Sequence, residues 1–257
     1  MNEQLLSDYD RIMEDCFRLF RDKNSDYGPT WLLYRDQSLN DEIWRKAKRI
    51  RTLEEHADTA CIPEGRDVEY VGIINYCVMF LIKLGGFPGI PADTDLTEDL
   101  VLLDSMDPEM IFEAYREIVE TVRQLLIRKN TDYGDAWKSM SLGAMTDQII
   151  IRVYRIRRIL ANHGRTRVSE GVVSQLYDII NYCVFALIKM GSGPEMPLSR
   201  GFRPGDTVRI LSGPLQDSVG VVEEPAPEQG QVRVALTVFG RETVIELDPD
   251  QLERADG

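Results

Sequence analysis

The chain repeats itself without a gap. Residues 23–31 read KNSDYGPTW and residues 129–137 read KNTDYGDAW, so the second phrase begins 106 positions after the first (23 to 129). At the same offset Asp41 meets Asp147, Ile43 meets Ile149, and Arg49-Ile50-Arg51 meets Arg155-Ile156-Arg157. Glu64-Gly65 meets Glu170-Gly171, IINYCV at 73–78 returns at 179–184, and LIK at 81–83 returns at 187–189. A tandem duplication of this length restricts the fold to two similar units, most simply halves of one body related by a pseudo-twofold axis.

Each copy has the apolar spacing of three helices. In the second copy, Asp107 before Pro108 supplies an N-cap and a first-turn proline. Ile111, Tyr115, Ile118, Val122, Leu125 and Leu126 then follow near helical period, and Gly134 is placed to end the helix. Thr146 is the expected cap of a second helix that stops at Gly164, and Ser169 and Glu170 open a third that ends at Gly191. Matching helices are expected at about 3–23, 40–57 and 64–84. Beyond the second copy the period changes to short β-branched alternating runs between Gly/Pro turns, which predicts five strands in a small barrel. The expected fold is therefore mainly α. Its duplicated three-helix units form an all-α bundle, followed by a small C-terminal SH3-like β-barrel. The boundaries are 1–88 for repeat 1, 89–106 for a linker, 107–193 for repeat 2 and 200–257 for the barrel.

Composition narrows the partners. The 257-residue chain is 43% hydrophobic and carries a net charge of −13. Such an acidic chain gains nothing from broad contact with nucleic-acid phosphates or anionic lipid, so extensive direct nucleic-acid contact and membrane binding are not expected. No apolar stretch is expected to reach the roughly 18–20 residues of a membrane span, and the N-terminus lacks the pattern of a signal peptide. The four cysteines, Cys16, Cys61, Cys77 and Cys183, form no CxxC pair. Their apolar setting predicts buried, reduced thiols and a cytoplasmic location. His56 and His163 are read as surface residues.

A polar stripe marks the third helix of the second copy. At 100° per residue and with Asp178 at zero, Glu170 lies at about −80°, Asn181 at about −60° and Ser174 at about −40°, on an otherwise apolar helix. Two carboxylates and an amide suit an oxygen-seeking cation such as Mg²⁺; an ordinary exposed helix face explains the same residues equally well. In the first copy Asp178 is matched by Gly72 and Ser174 by Val68. Any metal site formed by Glu170 and Asp178 thus belongs to the second copy. The repeated phrase is either a C-cap turn or a ligand site. In the second case Lys129 and Asn130 meet the ligand, Asp132 acts as ligand or base, and Tyr133, Trp137 and Tyr182 offer stacking faces. Arg155 and Arg157 lie about 200° apart; one is expected to pair with a carboxylate such as Asp147, the other with phosphate. No Walker loop, GxGxxG, GxSxG or HExxH is present.

The Lys-Asn-x-Asp-Tyr-Gly-x-x-Trp phrase, the Arg-Ile-Arg helix and the Glu-Gly…Asp-Ile-Ile-Asn-Tyr helix resemble the first type of nucleotide modification-associated domain, over about residues 3–190. The last helix is also similar to that of the all-α MazG-type nucleoside triphosphate pyrophosphohydrolases. Asp178-x-x-Asn181 stands here where that family has Glu-x-x-Asp, and no clear Glu-x-x-Glu partner accompanies it. The resemblance implies Asp132, Glu170, Asp178 and Asn181 as catalytic candidates. The tail resembles the KOW, SH3-like C-terminal domain of the NusG elongation factors. The match runs through Gly213–Asp217, Gly220-Val221-Val222 and Phe239-Gly240-Arg241-x-Thr243. That resemblance implies a protein partner, a ribosomal protein or a transcription factor, met through Leu215 and Phe239. The tail from Arg200 holds eleven acids and six bases, which favours protein over RNA.

Two functions follow. One is a nucleotide-associated all-α protein, Mg²⁺-dependent in binding or pyrophosphohydrolysis, tethered to transcription or translation by its KOW module. The other is a non-enzymatic adaptor that docks through the same module.

Overall fold

The computed structural model describes residues 3–55, 65–85, 103, 105–166, 170–191, 205–211, 215–216, 218–226, 231–238, 241–247 and 251–254. The chain divides into two units, Met1–Pro194 and Glu195–Gly257. The first unit is helical: α1 (Glu3–Tyr27), α2 (Asp36–Glu55), α3 (Arg66–Gly85), α4 (Pro108–Tyr133), α5 (Leu142–Ala161) and α6 (Val172–Lys189). A short 3₁₀ turn follows α1 at Thr30–Leu33, and its counterpart follows α4 at Ala136–Ser139. The bounds of α2 and α5, and of the two 3₁₀ turns, differ by the 106 positions of the duplication (36 to 142, 30 to 136).

Local chemistry sets the ends. The Asp107 side chain accepts from the Glu109 amide, with Pro108 in the first turn of α4. Gly134, at φ 58°, caps the other end, a left-handed backbone that costs glycine little. The repeated phrase therefore straddles a boundary. Its Lys-Asn-x-Asp-Tyr portion forms the last turn of the helix, its glycine turns the chain, and its tryptophan sits in the 3₁₀ turn. Thr146 is not the cap of α5. Ser141 is, accepting from the Ala144 amide, and Thr146 lies a turn inside the helix, fully buried. A threonine inside a helix can spend its hydroxyl on tertiary partners, and this one does. Thr146 Oγ1 lies 2.8 Å from the Tyr70 hydroxyl and 2.9 Å from Glu54 Oε1. Because a carboxylate only accepts, Tyr70 donates to Thr146 and Thr146 to Glu54.

The halves meet twin against twin. α3 packs on α6 and α2 on α5, the pattern a pseudo-twofold axis produces. Contrary to the sequence expectation, α3 and α6 are long and apolar enough to cross a membrane by length and composition. They serve instead as the central pair of the bundle, with Ile73, Ile74, Cys77 and Val78 of α3 and Ile179, Ile180, Cys183 and Val184 of α6 all buried. Burial raises the thiols of Cys16, Cys77 and Cys183 well above their ordinary range, so they stay protonated and inert, as expected. Cys61 and His56 lie outside the described residues; His163 is exposed at φ 52°.

One polar bridge ties the halves through their core. Tyr115 of α4 donates to Asn75 Oδ1 at 2.8 Å, and Asn75 Nδ2 donates to the Cys16 carbonyl of α1 at 3.1 Å. The twin tyrosine behaves differently: Tyr9 donates to the Val119 carbonyl at 3.0 Å. At the surface, Asp147 pairs with Arg51 of the other half rather than with Arg155 or Arg157.

The second unit is a five-stranded antiparallel sheet of β1 (Thr207–Ile210), β2 (Val219–Ala226), β3 (Gln231–Val238), β4 (Arg241–Leu247) and β5 (Leu252–Arg254), in the order β4-β3-β2-β1-β5. Alternating residues make one apolar core of Val208, Ile210, Val222, Val232, Val234, Leu236 and Leu252. The whole is mainly α with a small β domain, as the sequence predicts. Apart from 103, 105 and 106, the expected linker at 89–106 lies outside the described residues, as do 200–204 at the start of the expected barrel.

Replacing Tyr115 by Phe leaves the buried Asn75 Oδ1 without its donor. The expected cost is about 1–3 kcal/mol in chemical denaturation, with the helical content by circular dichroism unchanged.

Candidate functional site

The second half contains a cavity of about 600 Å³ between the end of α4, the following 3₁₀ turn, α5 and α6. Gly134 turns the chain back so that Trp137 reaches α6. There its ring stacks on Phe185, with centroids 4.7 Å apart and planes 5° from parallel. Phe185 also meets the edge of Tyr182 at 6.3 Å. These rings form an aromatic wall.

Charge is concentrated beside that wall. Lys129 Nζ lies 2.5 Å from Asp178 Oδ1, and Arg152 Nη2 lies 3.1 Å from Asp178 Oδ2, so each carboxylate oxygen holds one cation. The Arg152 guanidinium is further fixed by Gln148, whose Oε1 accepts at 2.6 Å, and lies 4.7 Å from the centre of the Tyr182 ring. Lys129 and Arg152 thus bring two cationic donors to one place in an acidic protein, donors of the kind that suit an anion. Glu170 is exposed and lines the same cavity.

Of the residues singled out in the sequence, Lys129, Asn130, Trp137, Glu170, Asp178, Asn181 and Tyr182 all line this cavity. Asp132 and Tyr133 belong to the last turn of α4, and their side chains lie outside the described part of the structure. Ser174 is half-buried and Arg155 exposed, and neither is part of the cavity wall. The cation facing the site is Arg152, which sequence reading passed over for the Arg-Ile-Arg motif. Its signal lay in the repeat: position 46 in the first copy is Lys, so both copies put a cation there. Phe185 was missed because its twin, Met79, is not aromatic.

The equivalent region of the first half is built differently. Gly72 stands in for Asp178, and a Cβ there would meet Lys46 Cε at 2.7 Å, so the lysine stem lies across the glycine. Lys46 runs on to Glu69, 3.0 Å away, and Arg49 also binds Glu69. In the second half the residue matching Glu69 is Gln175. The carboxylate has thus moved by three positions, about one turn, from the Glu69 site to the Asp178 site. The polar edges differ too. In the first half Trp31 Nε1 donates to Asn24 Oδ1 at 3.3 Å, whereas buried Trp137 Nε1 and Asn181 Oδ1 have no hydrogen-bond partner among the described residues.

Oxygen donors for a metal would come from Glu170, Asp178 and Asn181. Both Asp178 oxygens are already engaged by cations, and among the described residues no three His, Cys, Asp or Glu side chains converge. The described donors do not fit a resident Mg²⁺, and the side chain of Asp132, the remaining candidate ligand, lies outside the described residues.

Two tandem segments, residues 23–84 and 129–190, match the family model described as nucleotide modification associated domain 1. Other similarities are to the transcription termination/antitermination protein NusG. The Thermus thermophilus protein is 54% identical over 54 residues, 21% of this chain and 29% of that protein. The Escherichia coli K12 protein is 46% identical over 54 residues, 21% and 30% respectively. The Pasteurella multocida protein is 26% identical over 179 residues, 68% of this chain and 93% of its own length. The chain therefore spans less than a third of the first of these curated relatives. A solved structure of domain interaction in Thermotoga maritima NusG is 43% identical over 22% of this chain and 32% of that one, with a TM-score of 0.21.

An Asp178→Ala change strands Lys129 and Arg152 beside each other without their shared carboxylate. Thermal unfolding is expected to shift down by the equivalent of about 1–3 kcal/mol. Gly72→Ala has only the flexible Lys46 stem to displace and is expected to cost under about 1 kcal/mol.

Proposed function

We propose that the helical unit binds a small nucleotide in the cavity of its second half. The observation that carries this reading is the convergence of Lys129 and Arg152 on one carboxylate beside an aromatic wall, an arrangement the first half has exchanged for a Glu69-centred one. Its volume of about 600 Å³ falls within the range of small-molecule sites. The phosphates would meet Lys129 and Arg152, and the base the Trp137–Phe185–Tyr182 wall. The match of both copies to nucleotide modification associated domain 1 supports the same class of ligand. Because the described donors do not fit a resident Mg²⁺, any divalent cation enters with the phosphates. Pyrophosphohydrolysis is the catalytic extension of this reading, with Asp132, Glu170, Asp178 and Asn181 as the residues to test.

The twin provides the control. In calorimetric titration with a panel of nucleotides, Lys129→Ala is expected to weaken binding about tenfold, while Lys23→Ala, exposed in the first half, leaves it unchanged. Equal behaviour of the two variants, or no nucleotide binding by the native protein, overturns the reading. Pyrophosphate release in the same mixtures, with and without Mg²⁺, separates a hydrolase from a binding protein.

For the β unit we infer a docking role towards transcription or ribosomal proteins. The NusG similarity supports it, as do exposed apolar residues Leu211, Val219, Val221 and Val244. Leu215 is partly buried and packs on the core of the unit, and Phe239 lies outside the described residues. Deleting residues 200–257 is expected to remove such partners from an affinity capture while nucleotide binding persists. Unchanged partners would refute the docking role.

A further inference from the structure

We infer that the second-half cavity reads the hydrogen-bonding edge of a nucleobase, through the indole N–H of Trp137 and the side-chain carbonyl of Asn181. This rests on the nucleotide reading above and specifies what the site recognises. Trp137 and Asn181 both line the cavity and are 9% and 5% exposed. Their polar atoms, one donor and one acceptor, are buried without partners among the described residues. Leaving such atoms unpaired is costly, and native proteins seldom do so without a reason.

The twins of these two residues, Trp31 and Asn75, are satisfied within the protein. Trp31 Nε1 donates to Asn24 Oδ1, and Asn75 Oδ1 accepts from Tyr115. Each of these partners has a twin in the opposite copy, and each twin is otherwise disposed. Tyr9, the counterpart of Tyr115, donates to the Val119 carbonyl instead. Asn130, the counterpart of Asn24, lines the cavity and makes no bond to Trp137 Nε1. Hydrogen-bonding capacity closed off in one copy is open in the other, at the cavity.

The chemistry of the pair limits what completes it. A phosphate only accepts, so it satisfies Trp137 and leaves Asn181 unpaired. An ammonium group only donates, with the reverse result. A ligand that completes both atoms carries a donor and an acceptor. The indole N–H lies in the plane of the Trp137 ring, so a flat group that meets it edge-on beside the Trp137–Phe185 stack fits best, which is what the edge of a nucleobase offers.

The test titrates the full-length protein by calorimetry with the four canonical deoxynucleoside monophosphates. It then uses an analogue of the tightest binder in which the edge groups are replaced by C–H or C–F of the same shape. The analogue is expected to bind about tenfold more weakly or worse. Trp137→Phe, which keeps a stacking ring but removes the N–H, should bring the natural nucleotide down towards the analogue and narrow the difference. Trp31→Phe should leave the difference intact. An analogue that binds native protein within about twofold of its parent overturns the inference while leaving nucleotide binding standing. So does full discrimination in both Trp137→Phe and Asn181→Leu. Absence of binding by every nucleotide fells the nucleotide reading, and the inference with it.

Discussion

The bundle depends on burying α3 against α6. Each is the most apolar helix of its repeat, and 61% of the apolar window of one and 50% of the other lie inside the fold. A single repeat of three helices has no second layer to cover such a helix on both sides, so its apolar face must find another of the same kind. The duplication supplies one in the same chain. Pairing α3 with α6 then brings α2 to α5 and lets α1 and α4 cross onto the core from either side, which is where the Cys16–Asn75–Tyr115 bridge closes.

With the backbone held by that self-matched core, side chains outside it were free to diverge. The same framework carries a Glu69 ion cluster on one side and an Asp178 cluster on the other, without any change in helix bounds between α2 and α5. The second cluster stands beside an aromatic cavity, and in the first the Lys46 stem lies across Gly72. Asymmetry of site on symmetry of fold is thus a matter of a few polar positions, and it comes without apparent loss to the apolar core.

The repeat, the six helices, the β tail and most of the cavity wall were legible in the sequence because each has a local or periodic signature. Asp107-Pro108 marks a helix start through its own hydrogen bond, and Gly134 a helix end through its own φ. Ser141 was missed because Thr146 carries the same capping chemistry a turn later, and nothing local says that its hydroxyl is spent on Tyr70 and Glu54 instead. Arg152 was missed for a related reason. Its role depends on Asp178, 26 residues away in sequence, and on the ring of Tyr182. The length and apolarity of α3 and α6 were underestimated because scattered polar residues such as Asn75 and Asn181 interrupt them; those residues are buried as well.

The exchange of Glu69 for Gln175 and of Gly72 for Asp178 couples two positions in each half. An aspartate at 72 alone would press on Lys46 and add a second acid beside Glu69, while an acid at 175 alone would stand one turn from Asp178. Neither half reaches the other's arrangement by one change, since every single step passes through an intermediate that is crowded, doubly acidic or left with cations and no acid. The two copies are consequently insulated from each other's substitutions. A gene-conversion event short enough to copy one position would be disfavoured, whereas one long enough to copy both would carry the acid from one turn to the next at a stroke.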